Sequence, residues 1–315
     1  MKYYLGIDLG GTFIKGAVID SDAKILISDK VPTESELGST YVINNIASLC
    51  ESLIKKSGFQ KPDFVGIGVG VPGIVESKTG RVTFADNIHW HDVPLVEKLE
   101  RLLALPVKIG NDANLATLGE LKFGIGKKYN SAVMLTLGTG VGGGIIVDGK
   151  IIEGNGGAGA ELGHCVISVD GEPCACGRCG CLEAYASATA LIRDTKRAMK
   201  KNPESLMWEI GSTDKVTGKT AFDYYDRDEA AREVVDRYIK MLSCGIINFA
   251  NVFRPEIVIL GGGVCAQGEN LTRPLREILD KELFAKGLCP DVLLTVASLG
   301  NDAGSLGAAA LFMDV

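Results

Sequence analysis

The chain predicts an α/β protein of two domains. Three observations point there. Short β-branched apolar runs alternate with segments whose apolar residues recur at helical spacing. A strand, glycine turn, strand, aspartate turn pattern occurs twice, over 3–20 and again ending at 148. The 315 residues, 46% hydrophobic and 23% charged, supply enough material for two cores.

Residues 3–7 read as a strand, 8–12 as a turn, and 14–19 as the returning strand; 20–23 turns again into a strand over 24–29. Val42, Ile46, Leu49, Leu53 and Ile54 place a helix over 41–57. A buried strand over 64–71 stops at Pro72-Gly73, and a helix over 93–103, a strand over 107–109 and a helix over 113–123 follow. The second hairpin then lies on the first, Gly138 on Gly10, Gly144 on Gly16 and Asp148 on Asp20, which suggests an internal duplication. Beyond it, helices are expected over 182–200, 229–253, 269–285 and 303–313, with strands over 257–260 and 292–297. Residues 261–263 form a glycine turn, and the polar stretch 201–227 reads as an irregular surface excursion.

Composition excludes several classes. The net charge of −6 and the absence of any long Lys/Arg block argue against a nucleic-acid partner. No run approaches 18 apolar residues, so no membrane span is expected, and the acidic Asp8 interrupts any signal-like opening; the expected location is cytoplasmic. Nine cysteines, an odd number, do not suit a disulfide framework. Forty glycines are about twice the usual share. They suit places where backbone turns tightly or approaches a ligand.

Two familiar nucleotide motifs fail on context. Gly138-Thr-Gly140-Val-Gly142-Gly143 matches G-x-G-x-x-G, but β-branched residues follow where a helix is required. Gly218-Lys219-Thr220 resembles the end of a Walker A loop, yet position 213 is Thr213. The glycine hairpins themselves remain, since successive backbone N–H groups in such turns can cradle phosphate. Asp8 at the end of the first strand could hold Mg²⁺, with Lys15 adding positive charge. Thr136 stands where the second copy would need that aspartate.

Asn111-Asp112-Ala113-Asn114 follows a strand and precedes a helix. The plain reading makes Asp112 an N-cap; the functional one makes it a general base at a strand's carboxyl end. His164, Cys174, Cys176 and Cys181 have the residue types and spacing of a Cys₃His zinc knuckle, with Cys179 as a competing ligand. Glu161 and Glu183 bracket the knuckle, and their carboxylates suit a hydroxyl-rich ligand. Glu161 lies in apolar, glycine-rich sequence, where a solvated surface charge is the weaker explanation.

These segments together resemble the ROK (repressor, open reading frame, kinase) sugar kinases, most of all their glucokinase branch. The resemblance rests on Glu161-Leu-Gly163-His164 and on the run from Cys174 through Cys181 to Glu183. Asp8-Leu-Gly-Gly-Thr12, Pro72-Gly73, Asn111-Asp112-Ala-Asn114, Leu137-Gly-Thr-Gly140, Gly261-Gly-Gly263 and Asn301-Asp302-Ala303-Gly304 also stand in that family's order. The resemblance implies an actin-like (ribonuclease H-like) two-domain fold with a cleft. Residues 1–112 with 301–315 would form the small domain and 113–300 the large one.

By the same resemblance, ATP phosphorylates the 6-hydroxyl of a hexose, D-glucose first, with Asp112 as base. Gly73, Asn87, Asn111, Asp112, Glu161, His164 and Glu183 would bind the sugar. Asp8, Gly10, Gly11, Thr12, Lys15, Gly138, Thr139, Gly140, Gly262 and Gly263 would serve Mg²⁺ and ATP. Zinc would be structural, held by His164, Cys174, Cys176 and Cys181, and the assembly a homodimer or tetramer. Trp90 would belong to the acceptor-side loop; His89 and His91 read as solvated. The alternatives are a kinase for mannose, allose, fructose, N-acetylmannosamine or N-acetylglucosamine, or a non-catalytic sugar-sensing regulator. The family's repressors carry a helix-turn-helix ahead of the first glycine hairpin, and only seven residues precede Asp8 here.

Overall fold

The first sheet grows out of the opening hairpin. In the computed structural model, which describes residues 2–313, β1 (Tyr3–Leu9) and β2 (Phe13–Asp20) pair antiparallel with Leu9 facing Ile14. β3 (Ile25–Pro32) pairs antiparallel with β2. The Asp20 turn closes because its carboxylate accepts from the N–H groups of Asp22 and Lys24, at 3.0 and 2.9 Å. α1 (Ser39–Ser57) buries the face from Val42 to Ile54 and ends where Gly58 takes φ 75°. β4 (Phe64–Val71) lies parallel to β1.

A small antiparallel sheet of β5 (Ile74–Glu76), β6 (Arg81–Ala85) and β7 (Trp90–Val93) comes next, in a region where the sequence had suggested no strands. Its strands are three to five residues long, too short to show a period. α2 (Leu95–Leu103) starts two residues later than expected, because residues 90–93 are strand and Pro94 is the cap. β8 (Val107–Asn111) joins parallel to β4 and runs directly into α3 (Asp112–Lys122).

β9 (Ala132–Leu137), β10 (Val141–Val147) and β11 (Lys150–Ile151) repeat the opening motif. Asp148-Gly149, both at positive φ, make the two-residue turn between β10 and β11. The helix expected over 182–200 is two helices, α4 (Glu183–Ala186) and α5 (Ala188–Lys201). The break falls at Ser187, whose hydroxyl caps the second helix by accepting from Ala190 N–H at 3.0 Å. A short α6 (Thr220–Asp223) interrupts the irregular stretch.

α7 (Glu229–Phe253) starts at Asp228, whose carboxylate accepts from Ala231 N–H at 2.8 Å. β12 (Ile257–Gly261), α8 (Glu269–Glu282), β13 (Leu293–Val296) and α9 (Ala303–Ala310) complete the chain.

Both large sheets have five strands, ordered β3-β2-β1-β4-β8 and β11-β10-β9-β12-β13. In each, the strand opening the motif is flanked on one side by its hairpin and on the other by two strands parallel to it. The chain forms two compact units. One holds the described residues of 1–130, 144–160 and 298–315; the other holds 131–143 and 161–297.

In the first unit, Leu5, Ile7, Leu9 and Ile14 pack with Val42, Ile46, Leu49 and Leu53 of α1 and Leu99 of α2. α9 covers the opposite face, where Ala17 and Ile19 meet Leu306 and Ala309. It lies so close that a Cβ at Gly6 would sit 2.0 Å from Ser305 O, and one at Gly68 1.8 Å from Ala308 O. Much of the unusual glycine content therefore serves backbone-to-backbone packing. α3 also buries a carboxylate: Glu120, with no exposed surface, accepts from Leu299 N–H, Ser298 Oγ and Ile125 N–H at 2.6, 3.0 and 3.2 Å. No described helix is long and apolar enough to cross a membrane.

Candidate active site

In the first unit, the expected functional residues collect at the carboxyl ends of the parallel strands β1, β4 and β8, where α/β sheets bind ligands. Asp8, the penultimate residue of β1, pairs with Lys15, whose Nζ lies 3.9 Å from its carboxylate. Burial raises the Asp8 carboxyl above its ordinary value, and Lys15 opposes that shift. A partly desolvated carboxylate next to a glycine turn suits a hard divalent cation.

After β4, Gly73 takes φ 88°, and a Cβ there would lie 2.2 Å from Phe84 O. The Asn111 side chain settles the question of the cap. Its Oδ1 accepts from Asn114 N–H at 3.1 Å while its Nδ2 donates to Gly73 O at 3.0 Å. Asn111, not Asp112, is therefore the N-cap of α3, which corrects the plain reading of Asp112. Asp112 is the first residue of the helix and accepts from Ala113 N–H at 2.8 Å. Asn87 lies beside the first glycine turn: a Cβ at Gly11 would be 3.6 Å from Asn87 O. Ala85, two residues before it, packs against Gly73. The turn at Gly10, Gly11 and Thr12 thus connects through 85–87 to Gly73, Asn111 and Asp112.

The second unit holds the other set. His164 Nδ1 lies 3.6 Å from Cys174 Sγ, and Cys176 Sγ lies 3.7 Å from Cys181 Sγ. All four ligand atoms fall within 4.8 Å of one another. A tetrahedral zinc, with bonds of about 2.3 Å to S and about 2.0 Å to N, separates its sulfurs by about 3.8 Å and S from N by about 3.6 Å. The four residues therefore fit that ion. Cys179, the competing ligand, lies outside this group: it is exposed and pairs its backbone with Pro173. Burial, then hydrogen bonds with Cys176 and Cys174, push the Cys181 thiol up to about 12; a bound dication would reverse that.

Gly177 and Gly180 make the tight knuckle possible. At Gly180, with φ 80°, a Cβ would lie 1.7 Å from Ser168 O. With Nδ1 turned to the cluster, His164 keeps Nε2 for another partner.

Glu183 joins the knuckle to the second glycine turn. One carboxylate oxygen accepts from Val141 N–H at 2.9 Å and the other lies 3.6 Å from Cys174 Sγ. Glu161, in contrast, is exposed; its apolar neighbours Leu162 and Gly163 are buried without it, so the premise of a desolvated charge does not hold. Around Gly138 and Gly263 a Cβ would find nothing within 4 Å, open backbone of the kind a phosphate or nucleotide can approach. Gly262, after β12, takes φ 89°, and a Cβ there would lie 2.4 Å from Leu137 O.

Sequence reasoning missed Thr33 and Thr189, which hold the two turns from behind, at 2.6 Å to Gly10 O and 2.8 Å to Thr139 O. Thr33 follows Val31-Pro32 and Thr189 stands between Ala188 and Ala190, and nothing in their spacing singles them out.

Residues 4–315 match the family model described as the ROK family. The glucokinase of Halalkalibacterium halodurans is 38% identical over 309 residues, 97% of this chain and 93% of that protein. The glucokinase of Thermotoga maritima is 38% identical over 98% of this chain and 97% of its own length. The crystal structure of a ROK family glucokinase from Streptomyces griseus in complex with glucose and AMPPNP superposes with a TM-score of 0.80 at 34% identity, covering 98% of each chain. The α/β architecture is thus that of the actin-like ROK sugar kinases.

Proposed function

Since the chain belongs to the ROK family, we propose that it is a cytoplasmic kinase that moves the terminal phosphoryl group of ATP to the 6-hydroxyl of a hexose, with D-glucose the preferred acceptor. The observation that carries this reading is the arrangement after β4 and β8. Asn111 is locked between Gly73 and the first turn of α3, and the next residue, Asp112, stands at the strand ends, where a base would be needed.

In the reaction, Asp112 accepts the proton of the 6-hydroxyl. The oxygen bonds to the γ-phosphorus, and the bond from that phosphorus to the β–γ bridging oxygen breaks, releasing ADP. Positioning and charge neutralisation carry most of such a step. The proposed sugar contacts are Asn111, Asn87 and the Gly73 backbone in the first unit and Glu161, His164 Nε2 and Glu183 in the second. The turns at Gly10, Gly11 and Thr12 and at Gly138, Thr139 and Gly140 would line the phosphates, with Gly262 and Gly263 beside the adenosine. The Gly10 and Gly138 N–H groups close the turns on Phe13 O and Gly140 O, which leaves the Gly11, Thr12, Thr139 and Gly140 amides for the ligand. Asp8, with Lys15 nearby, would hold Mg²⁺, which when bound neutralises phosphate charge. Zinc at His164, Cys174, Cys176 and Cys181 would be structural, fixing the tautomer and orientation of His164.

Support for glucose comes from relatives named glucokinases at 38% identity over nearly the whole chain. An ADP-release assay with glucose, mannose, allose, fructose, N-acetylglucosamine and N-acetylmannosamine tests it. Glucose should give the highest kcat/KM. A higher value for another sugar reassigns the acceptor, and no ADP release with any of them removes the kinase reading.

A further inference from the structure

We propose that Thr33 and Thr189 are positioning residues for the phosphoryl donor, each using its hydroxyl to hold back a carbonyl of one glycine turn. The inference rests on the kinase reading above and deepens it. A turn that cradles phosphate must show its N–H groups to the ligand, so the carbonyls between them need partners elsewhere.

In the first turn, Thr33 supplies two such partners. Its hydroxyl donates to Gly10 O at 2.6 Å, and its backbone N–H donates to Thr12 O at 2.9 Å. Thr33 has no exposed surface, so this hydrogen bond works in a desolvated setting. In the second turn, Thr189 Oγ1 donates to Thr139 O at 2.8 Å, and the Ala188 N–H donates to Gly138 O at 2.8 Å. Ala188 opens α5, so an amide without an intrahelical acceptor is spent on the turn. The amides of Thr139 and Gly140 take no part in this bracing.

The two braces come from unrelated places. Thr33 directly follows the edge strand β3, whereas Thr189 stands in the first turn of α5. The same device, a threonine hydroxyl on a turn carbonyl, therefore serves both halves of the duplicated motif on different scaffolds. That coincidence favours a requirement of the turns over a by-product of local packing.

The test compares Thr33→Val, Thr33→Ser and Thr189→Val with the unaltered protein. The readouts are MgADP affinity by calorimetry, the separate KM values for ATP and glucose, and the melting temperature. Thr33→Val should weaken MgADP and raise the ATP KM about fivefold, the effect of losing one hydrogen bond, with the glucose KM changing less than about twofold. Thr33→Ser should restore the unaltered values. Thr189→Val, at an exposed position, should shift the ATP KM about twofold to threefold.

Unchanged nucleotide affinity in both valine variants overturns the proposal, as does an equal rise in both KM values. Should Thr33→Val fail to fold, Thr189→Val decides alone on the same criteria. MgADP binding keeps the outcomes separable. If the unaltered protein binds MgADP but phosphorylates no hexose, the kinase reading fails while the braces are still judged by nucleotide affinity.

Discussion

The two large sheets run in the same strand order, and each second parallel strand is followed by a left-handed glycine, Gly73 at φ 88° and Gly262 at φ 89°. Their differences are confined to what hangs from that frame. β1 carries Asp8 where β9 carries Thr136. β8 runs straight into a helix opened by Asn111 and Asp112, whereas β13 is followed by a loop and a 3₁₀ turn before α9. The edge strand is eight residues in the first sheet and two in the second. The long edge delivers Thr33 to its turn; the short one cannot, and α5 supplies Thr189 instead. A repeated scaffold thus fixes where the glycine turns fall, while the segments after the strands decide which half carries Asp112 and which the Cys/His cluster.

The largest test of this division removes the proposed base. Asp112→Asn should cut turnover by about 10²–10⁴-fold, the usual worth of a positioned base. Asparagine can still accept from Ala113 N–H, so melting temperature and zinc content should hold. Unchanged turnover would move the base elsewhere.

Next in size is metal removal. The two tryptophans fall one in each unit, Trp90 in the first and Trp208 in the second. Single-tryptophan variants therefore follow each unit by fluorescence. Chelation or Cys181→Ser should lower the transition seen by Trp208, by about 2–4 °C for each kcal/mol lost, and leave that seen by Trp90 in place. Equal shifts at both would show that the knuckle stabilises more than its own unit.

Glycines separate packing from binding. At Gly307 a Cβ would lie 1.7 Å from Leu115 O, so Gly307→Ala should destabilise by about 1–3 kcal/mol or more in denaturant titration. Gly138→Ala meets no neighbour within 4 Å; it should leave stability unchanged and weaken MgADP.

The smallest effect is at Asp8. Its folded pKa is raised by burial, so its favourable contribution is present below the unfolded value and is lost as pH rises through the folded one. Asp8→Asn should therefore melt slightly higher than the unaltered protein at pH 7. The difference should vanish below about pH 3.8, the ordinary value. A lower melting point at pH 7 would contradict the sign.

Much of this was legible in the sequence, because it is written in local terms. Apolar period marked α1, the repeated glycine and aspartate turns marked the duplicated hairpins, and the Cys-x-Cys spacing marked the knuckle. Other features depend on residues far apart in the chain. The cap of α3 could be assigned to Asn111 only once its amide was seen to reach Gly73, 38 residues away. Glu161 looked desolvated by its neighbours and is not, because those neighbours turn inward without it. Glu120 sits buried because Ser298 and Leu299 come round to satisfy it.

Periodicity and turn chemistry act over a few residues, so the chain alone specified the strands of its two large sheets, its glycine hairpins and a Cys/His cluster with zinc-ligand spacing. Burial, capping choice and the bracing of the glycine turns are settled between distant segments, where only packing determines which donor meets which acceptor.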